Sequence, residues 1–228
     1  MKVQDCEIKQ VKILQAELKA ENRDFFDFDE QLKTNKVFVY FMRSGNVILL
    51  PNSLNDTAQG IKFRNKEIFS HYQQRDSFPI QNSNPTLGDL FQNELNELTK
   101  SVNEAFVFFG VDRGSLTKDK LVDIRSKNVN DIKSTGFIYS RLLLGEYVKD
   151  QLKGRWLLLK QYGSYNPYYS PAILTADGGV IPLFRISDAF YQEAISIDVF
   201  MSMSDIEEPS IKFQSPLFNQ LYPSYIEI

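Results

Sequence analysis

The chain has 228 residues, 43% of them hydrophobic and 13% aromatic, enough for one large domain or two modest ones with a substantial core. Twenty-six basic residues stand against twenty-nine acidic ones, a net charge of −3 with no long run of either sign, which argues against holding nucleic acid by counterion release. One cysteine excludes an internal disulfide and a cysteine-built zinc site, and the charged first twenty residues and the lack of any long apolar run predict a cytoplasmic protein with no leader and no membrane span.

Ile8, Val11, Leu14 and Leu18 share one helical face, predicting an amphipathic helix from Asp5 to Ala20. The run Asp24-Phe25-Phe26-Asp27-Phe28-Asp29-Glu30 reads in two ways: a ligand for a basic partner, or, as we favour, a loop or helix start whose phenylalanines turn inward. Residues 37–42 and 46–50 flank Arg43-Ser44-Gly45 in a strong hairpin pattern. A weaker hairpin is predicted from Ile61–Arg64 and Glu67–Tyr72, turning at Asn65-Lys66. From Gln73 to Thr86 the composition shifts to Gln, Asn, Ser and Pro, either a domain boundary or a long connection inside one domain.

Apolar residues keep helical spacing from Thr86 to Phe109, and Gly110 suits the end of that helix. Thr117 can cap a short helix carrying Leu121 and Ile124. From Ser134 the pattern predicts a core helix closed by a left-handed Gly154. The continuous apolar run Arg155–Leu159 predicts a strand covered on both faces, with Trp156 as its anchor. Residues 172–174 and 180–183 flank Ala176-Asp177-Gly178-Gly179 as a hairpin, its second arm lying at an edge or ending at Pro182. Ser187-Asp188 begins a further helix, and the prolines between Pro209 and Ile228 predict an extended segment, either laid over the body or offered to another protein.

The fold class expected is α+β. Residues 1–80 form an N-terminal region of helix and antiparallel hairpins, and residues 85–228 a helix-rich C-terminal domain on a short, mainly antiparallel sheet. The sequence Phe109-Gly110-Val111-Asp112, then Leu144-Gly145-Glu146-Tyr147-Val148, Gly154-Arg155-Trp156 and a hairpin ending Pro182-Leu183-Phe184 resembles a bacterial domain-of-unknown-function family. Its members share a helical Gly-Glu pair, a Gly-x-Trp strand and a hairpin leading to Pro-Phe; here Leu183 separates the last two. The resemblance spans about residues 85–195 and implies a fold, with no established activity attached.

Catalytic candidates are few. His71 is the sole histidine, Cys6 carries no local sign of an activated thiol, and no phosphate loop, dinucleotide fingerprint or metalloprotease helix is present, so no cofactor and no metal are expected. Glu146, beside Gly145 on an apolar helix, is the best candidate for carboxylate-dependent hydrolysis; the favoured structural reading pairs it with Arg155, Arg141 or a nearby lysine. The stretch Tyr162–Pro171 combines Tyr162, Tyr165, Tyr168 and Tyr169 with Gly, Ser, Asn and Pro. It reads equally as a recognition loop or as an ordered crossover closing the end of the core. The function expected is a non-enzymatic accessory or immunity-type protein with a protein partner, its oligomeric state open, with a hydrolase around Glu146 as the alternative.

Overall fold

A computed structural model of the chain describes residues 5–32, 37–52, 58–80, 97–128, 134–163, 165–191, 195–204 and 211–228. The fold is α+β, with eight helices and two five-stranded sheets among the described residues. The chain divides into two compact units, Met1–Asn84 with Tyr162–Pro167, and Pro85–Gln161 with Tyr168–Ile228.

In the first unit, β1 (Cys6–Gln10), β2 (Glu30–Gln31), β3 (Val37–Phe41), β4 (Val47–Pro51) and β5 (Gln59–Phe63) form a sheet in the order β1-β5-β4-β3-β2, antiparallel throughout. The turn between β3 and β4 places Gly45 at φ +87°, a conformation that disfavours a side chain. Period-two alternation sends Phe38, Tyr40, Ile48 and Leu50 to one face, where Val11, Leu14 and Leu18 of α1 (Val11–Ala20) cover them. Each of those three helical side chains contributes about 1.5–3 kcal/mol by leaving water. Val37, Val39, Val47, Leu49, Ile61 and Phe63 line the opposite face with Phe69 of α2 (Lys66–Gln74), Phe78, Ile80 and Tyr165.

Two expectations change here. The first predicted helix is a strand followed by a helix: residues 6–10 pair with β5, and Ile8, which matches the helical spacing, is exposed. The second arm of the weaker hairpin is the helix α2. Asn65 Oδ1 accepts the Ile68 amide at 2.9 Å and Glu67 occupies the first turn, so a cap outweighs the turn reading.

The second unit's sheet runs β10-β6-β7-β8-β9, from β6 (Arg155–Tyr162), β7 (Pro167–Leu174), β8 (Gly179–Pro182), β9 (Ile211–Lys212) and β10 (Tyr225–Glu227). Trp156, Leu158, Ile173 and Ile181 face a helical layer: α3 (Glu97–Phe109), α4 (Lys118–Asn128), α5 (Thr135–Gln151), α6 (Leu183–Tyr191) and α7 (Ile197–Ser204). Leu157, Leu159, Ala172, Leu174 and Val180 face the other way, onto Phe218 of α8 (Pro216–Leu221) with Phe213, Tyr222 and Tyr225. Both faces of β6 are therefore covered, as its unbroken apolar run predicts.

Of the helix predicted over residues 86–109, residues 86–96 lie outside the described residues; the remainder ends at Gly110, φ +60°. The close of α5 differs from expectation. Lys153 is the left-handed residue, at φ +49°. Gly154 is required by space instead, because a Cβ there would lie 2.8 Å from Leu174 O and 2.9 Å from Ile173 Cγ2. The segment 211–228 is not simply extended. Ser215 Oγ accepts the Phe218 amide at 3.2 Å and Pro216 occupies the first helical turn, where its missing N–H costs nothing. The proline read as a breaker therefore starts a helix. Likewise α6 begins at Leu183, directly after β8 ends at Pro182, and not at Ser187.

The connection between β6 and β7 carries a set of buried polar contacts to the backbone of the first unit. Asn166, buried, accepts the Phe78 amide at 2.5 Å and donates to Phe78 O at 3.0 Å and Ile80 O at 2.6 Å; Tyr165 Oη donates to Gln59 O at 2.7 Å. Replacing Asn166 by Ala strands three backbone groups in the interior. A loss of about 2–4 kcal/mol in urea unfolding is expected, against about 1 kcal/mol for Tyr165→Phe. Equal effects of the two substitutions would refute this ranking.

Candidate functional site

Ser134 caps α5 by accepting the Phe137 amide at 3.1 Å, and the 17-residue helix runs from there past Gly145 and Glu146. Gly145 faces the tryptophan. A Cβ at this position would collide with Trp156 Cη2 and stand 2.7 Å from Leu183 Cδ1, so the helix reaches the β6 indole and the first residue of α6 only because position 145 has no side chain. That approach sets Glu146 beside the indole edge. Trp156 Nε1 donates to Glu146 Oε2 at 2.8 Å.

The other carboxylate oxygen is also taken. Arg113 Nη1 reaches Glu146 Oε1 at 2.5 Å and Lys149 Nζ reaches it at 2.8 Å, while Glu146 is only 2% exposed. Arg113 sits in a 3₁₀ turn, Arg113–Ser115, donates by Nη2 to Asn103 Oδ1 at 2.7 Å, and lies 5.0 Å from the centre of the Phe106 ring. A carboxylate out of water costs several kcal/mol, and two cations with an indole N–H are the donors that offset it. The predicted partners go elsewhere: Arg155 pairs with Glu227 at 2.8 Å, and Arg141 reaches Ser187 Oγ at 2.5 Å and Asp188 at 3.9 Å.

The chemistry open to Glu146 follows from these partners. Both oxygens accept from donors on other residues and none of the three partners is an acid, so the group orients an indole and an arginine. Among the described residues, no cluster of three or more His, Cys, Asp or Glu side chains is placed to hold a metal ion. Burial, with Asp5 nearby, pushes the Cys6 thiol of edge strand β1 up from its ordinary value, the opposite of an activated nucleophile. His71 lies on α2 with its ring edge-on to Tyr72.

The four tyrosines are divided. β6 extends through Tyr162 and β7 starts at Pro167, so the expected ten-residue loop shrinks to a connection over residues 163–166. Tyr165 is buried in the core beneath the first sheet, and burial holds its phenol well above the usual range. Tyr162, Tyr168 and Tyr169 are half-buried; Tyr168 Oη donates to Gln161 Oε1 at 3.0 Å, and Tyr169 packs on the helical core of the second unit.

A surface feature with no sequence signal lies on α3 and α5. Thr99, Lys100, Asn103, Glu104, Val107, Phe108 and Tyr139 line a groove of about 670 Å³. Val107 is 82% exposed and Phe108 54% exposed, with the Phe108 ring edge-on to Tyr139 at 5.4 Å between centres. Tyr139 Oη donates to Glu104 at 2.9 Å, which fixes one wall. Helical spacing marked Phe106 and Phe109 as the inward residues, but it carries no information about two apolar neighbours facing out.

The chain matches no protein-family model, no curated protein and no solved structure. Among the described residues, no helix is long and apolar enough to cross a membrane.

Removing the buried acid tests its role. Glu146→Ala leaves the buried indole N–H without its acceptor, while the half-exposed Arg113 keeps Asn103 and Lys149 keeps Asp150, and is expected to cost about 1–3 kcal/mol, with Glu146→Gln costing less. Trp156 is the sole tryptophan, so its emission reports the site directly and should shift to the red in Glu146→Ala. An unshifted spectrum with unchanged stability would show that the carboxylate does not hold the indole.

Proposed function

We propose that the chain is a non-enzymatic accessory protein of the cytoplasm, acting by binding another protein through the groove between α3 and α5. The observation carrying this reading is the outward pair Val107 and Phe108, set in a groove whose wall is fixed by the Tyr139–Glu104 hydrogen bond. The groove is lined by one lysine, Lys100, and one glutamate, Glu104, so charge selects neither a polyanion nor a polycation. The occupant that fits is an apolar-faced helix or strand of a partner protein, with Phe108 as the aromatic anchor typical of contact surfaces. Nucleic acid is not a fitting partner for this surface.

The engagement of Glu146 by Arg113, Lys149 and Trp156 supports reading the second unit as scaffold. Gly145, Glu146 and Trp156, which belong to the pattern resembling a domain-of-unknown-function family, meet at one point, which supports reading that pattern as packing. The tyrosine-rich connection contributes less to this reading than its composition suggested, since Tyr165 is spent on internal packing.

Val107→Glu and Phe108→Ser should each abolish capture of the same partner by the tagged chain, leaving thermal unfolding nearly unchanged because both side chains face solvent. Purified, that partner should bind each variant about tenfold or more weakly and protect residues 97–109 from hydrogen exchange. Partners held equally by both variants, or protection confined to other elements, would overturn the assignment.

A further inference from the structure

For the acidic, aromatic run after α1, the reading favoured over a ligand for a basic partner has its phenylalanines turn inward. Only one does so. Phe25 packs edge-on to Phe38, 5.3 Å between ring centres, and its carbonyl accepts Tyr40 Oη at 2.6 Å. Phe26 is 79% exposed, and Phe28, stacked by one face on Phe38 at 4.5 Å, is exposed as well. The rings are held there by the backbone. Asp24 Oδ1 accepts the Phe26 and Asp27 amides at 2.7 and 3.0 Å, which turns the chain so that Phe26 points away from the sheet.

The turn is also tied down at its far end. Arg23 donates by Nη1 to Asp29 Oδ2 at 2.8 Å and to Phe41 O at 2.9 Å, by Nε to Asp27 Oδ2 at 3.2 Å, and by Nη2 to Asp27 O. Asp29 in turn accepts the Phe41 amide at 2.6 Å, and these donors hold its carboxyl below the usual range although burial opposes the shift. A surface already fixed in this way loses little freedom when a partner arrives. Charge then selects the partner. Arg23, with Lys66 near Asp29, stands against Asp24, Asp27, Asp29 and Glu30, and Arg23 is turned into the loop while Asp24, Asp27 and Glu30 face solvent. Phosphate-bearing polymers and anionic surfaces are repelled by that arrangement.

We infer that residues 24–30 form a second docking surface, for an arginine- or lysine-rich segment of another protein. Phe26 and the open face of Phe28 take a guanidinium or an aliphatic stem, because an aromatic face attracts a cation and arginine stacks on it. Asp24, Asp27 and Glu30 pair with the flanking cations and set the orientation of the segment. This surface belongs to the first unit, and the groove on α3 and α5 to the second.

The test is a selection of random decapeptides on the immobilised full chain, with the best sequence then synthesised and titrated by fluorescence anisotropy. The enriched sequences should combine Lys or Arg with apolar residues. The chosen peptide should bind Phe26→Ser about tenfold or more weakly than the parent chain, and Glu30→Lys several-fold more weakly with a shallower salt dependence. Both residues are exposed, and unchanged unfolding midpoints would show that binding alone was lost. Should Phe26→Ser unfold, Glu30→Lys decides by itself. No enrichment, peptides without a basic bias, or affinities unchanged in Glu30→Lys and in a folded Phe26→Ser would overturn the proposal.

Discussion

The second unit depends on one contact, the edge of the Trp156 indole against the backbone of α5 at Gly145, with the Glu146 carboxylate accepting the indole N–H. An indole inside a core brings a large apolar area and one donor that must be satisfied. Here the acceptor is a charged group, which brings its own desolvation cost, and Arg113 and Lys149 converge on it from a separate turn and from the next turn of the same helix. The consequence is geometric. Helix α5, strand β6, the 3₁₀ turn at Arg113 and the start of α6 all take their positions from a few atoms around position 145.

Two sheets with both faces covered have a related cause. Strands β4 and β6 are apolar at successive positions, so alternation cannot leave either face in water. The first sheet is covered by α1 on one side and by α2 with the segment around Phe78 on the other; the second by the helical layer on one side and by α8 with its neighbouring aromatics on the other. Short amphipathic elements such as α8 acquire their stability from this role, since a helix of six residues has little of its own.

The functional reading moves from the interior to the surface for the same reason. Catalysis by a carboxylate needs an acid with an oxygen available to a substrate or a water, and at Glu146 both are occupied. Among the apolar side chains left outward, the most exposed are Val107 on α3 and Phe26 beside a capped turn, with Phe108 next to Val107. Rigid, exposed aromatic groups of this kind suit recognition more than chemistry.

The α+β class, the hairpin of β3 and β4, the body of α5, the buried strand led by Trp156 and the hairpin of β7 and β8 are legible in the residues alone, because each is written in local periodicity and turn chemistry. Short-range patterns failed where a distant partner or a cap decided. Residues 6–10 are a strand because β5 offers an edge to pair with, residues 66–74 a helix because Asn65 caps them, and Pro216 begins a helix because Phe218 has a sheet face to cover. Glu146 was legible as a residue of interest, but its partner Arg113 lies 33 positions away and no local pattern connects the two. The composition around Tyr165 and Asn166 left a recognition loop and an ordered crossover equally open, and only the fold gave their polar groups to the backbone at Gln59, Phe78 and Ile80. Composition supplies the groups that can bind; which of them remain outside is fixed by what the rest of the chain must bury.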